Sequence, residues 1–263
     1  MLRTLPLLVK MFVKSRTEYR GAFLLDIGAM ILTYGSVYAT IWVLLLRFDT
    51  LGGWNWPELA VLLSFQLFTY ASGASFSFTQ FRNMEEMVRL GQFDVLLVKP
   101  FSPWAYLTFS GLNIGYTGHF ILAVGLMGWA LAQVDVTWTP GLVLYLVASV
   151  VSASMVVAAL MTMIGASAMV LVQSSYLYAI FFGFWELSRF PLNIYPAALQ
   201  WAMLTVVPLA YISYVPAAVL LGKDVAVLGS LAGPVSLLVG PLSVLLAMAH
   251  WRYCIRHYQG GGG

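Results

Sequence analysis

The residues that could do chemistry in this chain are few and scattered. Its single Gly-Lys pair, Gly222-Lys223, is followed by Asp224 and lacks the upstream glycine that a phosphate-binding loop needs to turn its amides onto a phosphate. The chain is therefore not expected to hydrolyse ATP by itself. Its three histidines, His119, His250 and His257, fall on separate segments, and its one cysteine, Cys254, has no partner for a disulfide or a metal cluster. No nucleophile elbow or metal-ligand spacing is present. Catalytic, metal and cofactor sites are not expected, and neither is nucleic acid as a partner.

A few polar residues stand in apolar surroundings. Asp26 lies about one turn into an apolar run, either as a functional carboxylate or as one that reaches the interface or pairs with Arg20. Gly111, Gly115 and His119 fall at i, i+4 and i+8, so on a continuous helix they share one face. That face is either a close-packing surface with a hydrogen-bonded histidine or part of a pathway. Glu186 and Arg189 are spaced to pair on a helix, where they would anchor the proline-rich stretch after them.

The most informative stretch is 82–103. It opens with a short charged helix around Glu85, Glu86 and Arg89, which Gly91 can end in the left-handed conformation. Phe93, Leu96 and Leu97 then make an apolar strip beside Asp94, before Pro100 and Pro103. The strip suits docking into a groove of another protein; the alternative is an ordinary solvated loop.

The elements that must position these residues follow from composition. The 263 residues are 61% hydrophobic and 9% charged, against about 25% charged in soluble domains. So few ionic groups cannot cover a surface in water, and lipid must be the solvent for most of it. A bilayer crossing takes about 20 apolar residues, so the chain has room for roughly six. The expected spans are 23–46, 59–81, 105–132, 140–163, 168–187 and 227–251, the fourth and fifth forming a tight hairpin. The first is too long for a cleaved signal peptide and reads as a retained anchor.

Residues 188–224 are apolar enough for a seventh span, but Pro191, Pro196, Pro208 and Pro216 interrupt them. Charge decides between the options. With six spans, ten of the 13 basic residues lie on the cytoplasmic side, and only Arg47, Arg189 and Lys223 face out. A seventh crossing would put the basic C-terminus outside, against the positive-inside rule. The segment is therefore expected to be a re-entrant outer hairpin, tolerable at that depth only against protein or water. Trp54, Trp56 and Trp138 are expected at outer ends, and Trp104 and Trp251 at inner ones. Residues 1–20, with Arg3, Lys10, Lys14, Arg16 and Arg20 against Glu18, read as an amphipathic interfacial helix or as a basic flank. Gly260–Gly263 reads as a flexible tail. The fold class is all-α integral membrane, with a six-helix domain over 21–259.

The run Gly91-Gln92-Phe93-Asp94-Val95-Leu96-Leu97-Val98-Lys99-Pro100 resembles the cytoplasmic loop of ABC-2 type transporter permeases. Phe184-Trp185-Glu186, Tyr195-Pro196, Val207-Pro208 and Tyr214-Val215-Pro216-Ala217 through Leu221-Gly222 resemble the six-helix subgroup that pairs with a separate ATP-binding subunit and often a second permease. The resemblance covers nearly the whole chain. It implies that residues around Glu85–Asp94 are a coupling helix seated in the ATPase, with the basic N-terminal helix as a second contact. ATP and Mg would be bound in that partner. It further implies an exporter in a bacterial inner membrane, with both termini cytoplasmic and a permease dimer of one chain or of sister chains.

So few charges favour an apolar, aromatic pathway for amphiphilic or lipid-like compounds. The rival readings are an ion-coupled carrier, for which Asp26 and His119 are a thin supply of relay groups, and a membrane scaffold without transport.

Overall fold

The computed structural model describes residues 20–100, 102–110, 113–171, 173–225 and 227–260. The expected interfacial helix lies outside the described residues apart from Arg20, whose side chain is also outside them. Gly111 and Gly261–Gly263 lie outside them too.

The described chain is helical, with an isolated bridge between Leu51 and Trp54 and no named strand among the described residues. Among the described residues four helices are long and apolar enough to cross a membrane: α1 (Arg20–Phe48), α2 (Trp56–Arg82), α7 (Pro140–Ser167) and α11 (Ala232–Arg256). Shorter helices lie between them. These are α3 (Met84–Arg89), α4 (Gln92–Leu97), α5 (Pro103–Ser110), α6 (Thr117–Leu131), α8 (Ser175–Leu187), α9 (Ala197–Trp201) and α10 (Tyr214–Leu220).

Local sequence explains where the long helices begin. Asn55 and Glu58 form a reciprocal capping box at 3.0 and 2.9 Å, with Pro57 in the first turn of α2. Thr139 Oγ1 accepts the Leu142 N–H at 3.2 Å, and Pro140 opens α7.

α2 is the axis of the bundle, and most of Leu59–Ala74 is fully buried. α7 crosses it where glycine lets backbones meet. A Cβ at Gly73 would stand 2.5 Å from the Ser154 carbonyl, and one at Gly165 would stand 2.7 Å from that of Phe81. α11 lies against α7 at Gly240, where a Cβ would collide with the Ser152 backbone. At that crossing the Ser152 hydroxyl donates to Ser236 O at 2.6 Å and accepts the Gly240 N–H at 3.0 Å. It thus enters the backbone ladder of α11 immediately before Pro241, which has no N–H of its own.

Two expected spans take another form. The run 105–132 is not one helix: α5 ends at Ser110, a 3-10 turn covers Ile114–Tyr116, and α6 follows. Asn113 draws the chain out of the helix here. Its N–H bonds Ser75 O at 2.9 Å, its amide bonds Thr79 Oγ1 at 3.2 Å, and its Oδ1 takes the Gly115 N–H at 2.9 Å. The run 168–187 is helical only from Ser175, because Ala168–Leu171 turn away from the end of α7.

Residues 188–224 form a chain of short pieces: a 3-10 turn at Leu192–Ile194, α9, a π turn at Ala202–Val206, a 3-10 turn at Leu209–Ile212, and α10. Prolines stand at their heads, with Pro191, Pro196 and Pro208 each just before a piece and Pro216 in the first turn of α10. That is where a residue without an N–H costs least. The tryptophans divide: Trp138 is exposed, whereas Trp54 and Trp251 are buried, at 3% and 4% exposure.

Candidate functional site

The segment from α3 to α4 caps one end of the bundle. Glu85 and Glu86 lie in the first turn of α3 and Arg89 in its last, each favoured there by the helix dipole. Leu90 closes the helix, and Gly91 turns the chain at φ +68°, a conformation that would strain any side chain. α4 then starts at Gln92.

The two short helices bury Met84, Phe93 and Leu96 in a cluster with Phe81, Leu107, Met169, Trp251 and Cys254. Phe93 is fully buried, its ring edge-on to Trp251 at 6.2 Å and to Tyr258 at 5.1 Å. The expected docking strip is therefore split. Phe93 and Leu96 fasten the loop to the end of α11, and of the three only Leu97 faces out. The outward apolar face is instead Leu90, Val95, Leu97 and Val98, of which Val98 is 84% exposed. Glu86 and Arg89 are exposed beside it, and Asp94 lies close to Gly260.

Glu85 looks the other way. Its Oε2 accepts the N–H of Ser174 at 2.9 Å and of Ser175 at 2.8 Å, at the head of α8. Accepting the Ser174 N–H holds this carboxyl below its ordinary value of 4.5. The Ser175 donors and the Arg89 charge act in the same sense, and partial burial opposes them.

Gly111, Gly115 and His119 do not form one helical face, because the chain is broken between α5 and α6. Gly111 lies outside the described residues. Gly115 sits in the 3-10 turn, where a Cβ would be 3.7 Å from Asp26 Oδ2. The close-packing glycine is Gly118, whose Cβ would stand 3.3 Å from the Ile27 backbone of α1. His119 is buried in α6 among Tyr34, Tyr116 and Tyr70, at ring distances of 4.9, 5.1 and 6.2 Å. Tyr70 meets Tyr116 edge-on at 5.8 Å and lies against Trp185 at 4.5 Å.

At the far end of α8, Glu186 and Arg189 form their ion pair, with one hydrogen bond at 2.8 Å. The pair is local, joining the last turn of α8 to the second residue of the broken segment. Other residues bind that segment. Gln66 Nε2 donates to Trp185 O and Ser188 Oγ, both at 2.7 Å, Ser213 Oγ donates to Ser188 O at 2.8 Å, and Thr69 Oγ1 donates to Ile212 O at 3.0 Å. At an exposed position Asn193 Nδ2 bonds Gly52 O at 2.7 Å. Lys223 Nζ bonds Gly53 O at 3.0 Å, meets Glu58 at 2.9 Å and lies over Trp54. Pro196, Pro208 and Pro216 set where the pieces begin and contribute no side-chain hydrogen bond.

A groove of about 470 Å³ opens between α2, α6 and α7. Its walls include Phe65, Phe68, Ala123, Met127, Leu146 and Val150, and its one hydroxyl, Ser64, is already bonded to Ala60 O at 2.6 Å. Nothing there calls for a polar ligand. Among the described residues no group of three or more His, Cys, Asp or Glu gathers to hold a metal.

The model of one protein family, described as ABC-2 family transporter protein, matches residues 31–262. No curated protein and no solved structure matches the chain.

Proposed function

This chain belongs to the ABC-2 transporter family, and from that premise we propose that it is the permease of an exporter moving amphiphilic or lipid-like compounds across a bacterial inner membrane. Membership makes it a membrane permease of an ABC transporter, and the family implies a partner ATP-binding subunit. The finer reading rests on the loop end of the bundle. A segment bolted inward by Phe93 and Leu96 still turns Leu90, Val95, Leu97 and Val98 outward, which is costly in water unless another protein covers them. That exposed face is the observation that carries the proposal.

In this reading the chain crosses the bilayer six times, as α1, α2, the interrupted pair α5–α6, α7, α8 and α11. α8 has 13 residues and α6 has 15, short of the roughly 20 that a crossing takes. Both complete their crossings with flanking non-helical backbone that packs on α2. Residues 188–224 re-enter the outer leaflet, and both termini are cytoplasmic. The ATPase, which binds ATP and Mg, takes the α3–α4 face in a groove. When it closes on nucleotide it pushes this face, and two permeases, identical or sister chains, rock about a shared pathway. Nucleotide moves that equilibrium only through contacts that differ between the two states. The groove between α2, α6 and α7 suits the hydrocarbon part of an amphiphile and offers nothing to an ionic solute.

The test replaces Leu97 and Val98 together by aspartate. Co-purification of the ATPase should fall by roughly tenfold or more, which corresponds to about 1.4 kcal/mol. The melting midpoint of the permease should hardly move, since exposed substitutions stay within about 0.5 kcal/mol. Wild-type recovery of the ATPase would sink the assignment.

A further inference from the structure

Helix α8 starts without a cap of its own, because the Ser174 side chain makes no capping bond. A helix begun this way leaves amide donors unmet, and here a residue 89 positions earlier meets them. The Glu85 carboxylate takes the Ser174 and Ser175 amides from across the loop. At the other end of α8, the Trp185 carbonyl accepts Gln66 and the Ser188 hydroxyl, and the Ser188 carbonyl accepts Ser213 from the broken segment. The 13 residues between make a rod about 20 Å long. Tyr178, Phe181 and Trp185 are buried along its inner side, next to Phe78 and Tyr70 of α2. A rigid element held at both ends by bonds from distant parts of the chain passes displacement on rather than absorbing it.

We propose that Glu85 is the positioning residue through which movement of the α3–α4 face enters α8 and, along α8, reaches the broken segment at the opposite end. The inference rests on the coupling role assigned to that face above. The loop has two separate attachments. Phe93 and Leu96 hold it to α11 by packing, and Glu85 holds it to α8 by two charge-assisted hydrogen bonds. Removing Glu85 leaves the first attachment and the outward apolar face intact. ATPase association and transmission to the far end therefore separate in a Glu85 variant, which a residue of merely structural importance would not do.

The experiment uses the full complex of this chain with its ATPase in nanodiscs. A fluorophore sits on Val206→Cys, an exposed position in the broken segment, while native Cys254 is buried. ATP, Mg and vanadate trap the closed ATPase, and the change in emission is read. In Glu85→Ala the change should fall by roughly fivefold or more, the lower end of usual coupling, with ATPase capture unchanged. Glu85→Gln keeps an acceptor but loses the charge, so it should fall between, since charged hydrogen bonds are about twice as strong. A wild-type emission change in either folded variant overturns the inference about Glu85 alone. Failure of the unmutated chain to capture the ATPase overturns the functional reading, and the role of Glu85 with it.

Discussion

The two ends of the bundle are held together by different means. At the loop end, α3 and α4 are fastened by a cluster of aromatic and sulfur-bearing side chains and by one carboxylate reaching a helix head. At the opposite end, the broken segment is stitched by side chains that bond backbone carbonyls one after another: Gln66, Thr69, Asn193, Ser213 and Lys223. Packing lets an element tilt while staying attached, because it has no required direction. Hydrogen bonds to fixed carbonyls specify one geometry. Under the proposed function the loop end is the one that is pushed, and the opposite end holds its shape until the rod between them moves.

The sharpest way to break this contrast is Phe93→Ala. Truncating a fully buried phenylalanine costs about 3–5 kcal/mol, and here it frees the loop from Trp251 and Tyr258. Both the melting midpoint and ATPase capture should fall together. A large loss of stability with capture intact would mean that the loop does not depend on α11 for its placement. Next in size is Gln66→Leu at the other end, expected to cost about 1–3 kcal/mol for the lost buried bonds. It should lower the melting midpoint and leave ATPase capture unchanged, so reduced capture would show that the ends are not separable. The smallest effect is acid-dependent. The Glu85 carboxyl is held below its ordinary value of 4.5 by the Ser174 amide and its neighbours. Its contribution is therefore complete above that value and is lost as pH falls through the depressed one. The gap in melting midpoint between the native chain and Glu85→Gln should persist near neutral pH and close in acid below about 4.5. A gap that stays constant into strong acid would show that the carboxylate charge does not hold α8.

How much of the molecule is legible in its sequence depends on distance along the chain. The membrane class, the turn at Gly91, the proline-led pieces of 188–224 and the Glu186–Arg189 pair are local properties of composition or spacing, and all appear in the structure. The interruption before α6 is not legible, although Asn113 is in plain view. Its effect depends on Ser75 and Thr79, more than thirty residues away. The face shared by Gly111, Gly115 and His119 presumes an unbroken helix and vanishes with the break. Phe93 and Leu96 read as an apolar strip in want of a cover, and the sequence does not say which cover. A two-turn helix has two faces, and only the fold shows that the chain's own last helix occupies one of them. Glu85 reads as a loop charge because its partners are 89 and 90 residues away.

The Ser152 hydroxyl inside the ladder of α11 also bears on how the protein is made. Helix α11 leaves the ribosome after α7, and it carries Pro241 beside a rung that α7 helps to complete. Glycine at 240 permits the approach and contributes no side chain to fill the gap. Pro241 leaves α11 one backbone donor short in a solvent that cannot replace it, and α7 supplies its hydroxyl at the neighbouring rung. The placement of α11 is therefore guided by a helix made nearly ninety residues earlier, and a chain stalled before Ser236 leaves that hydroxyl without these partners.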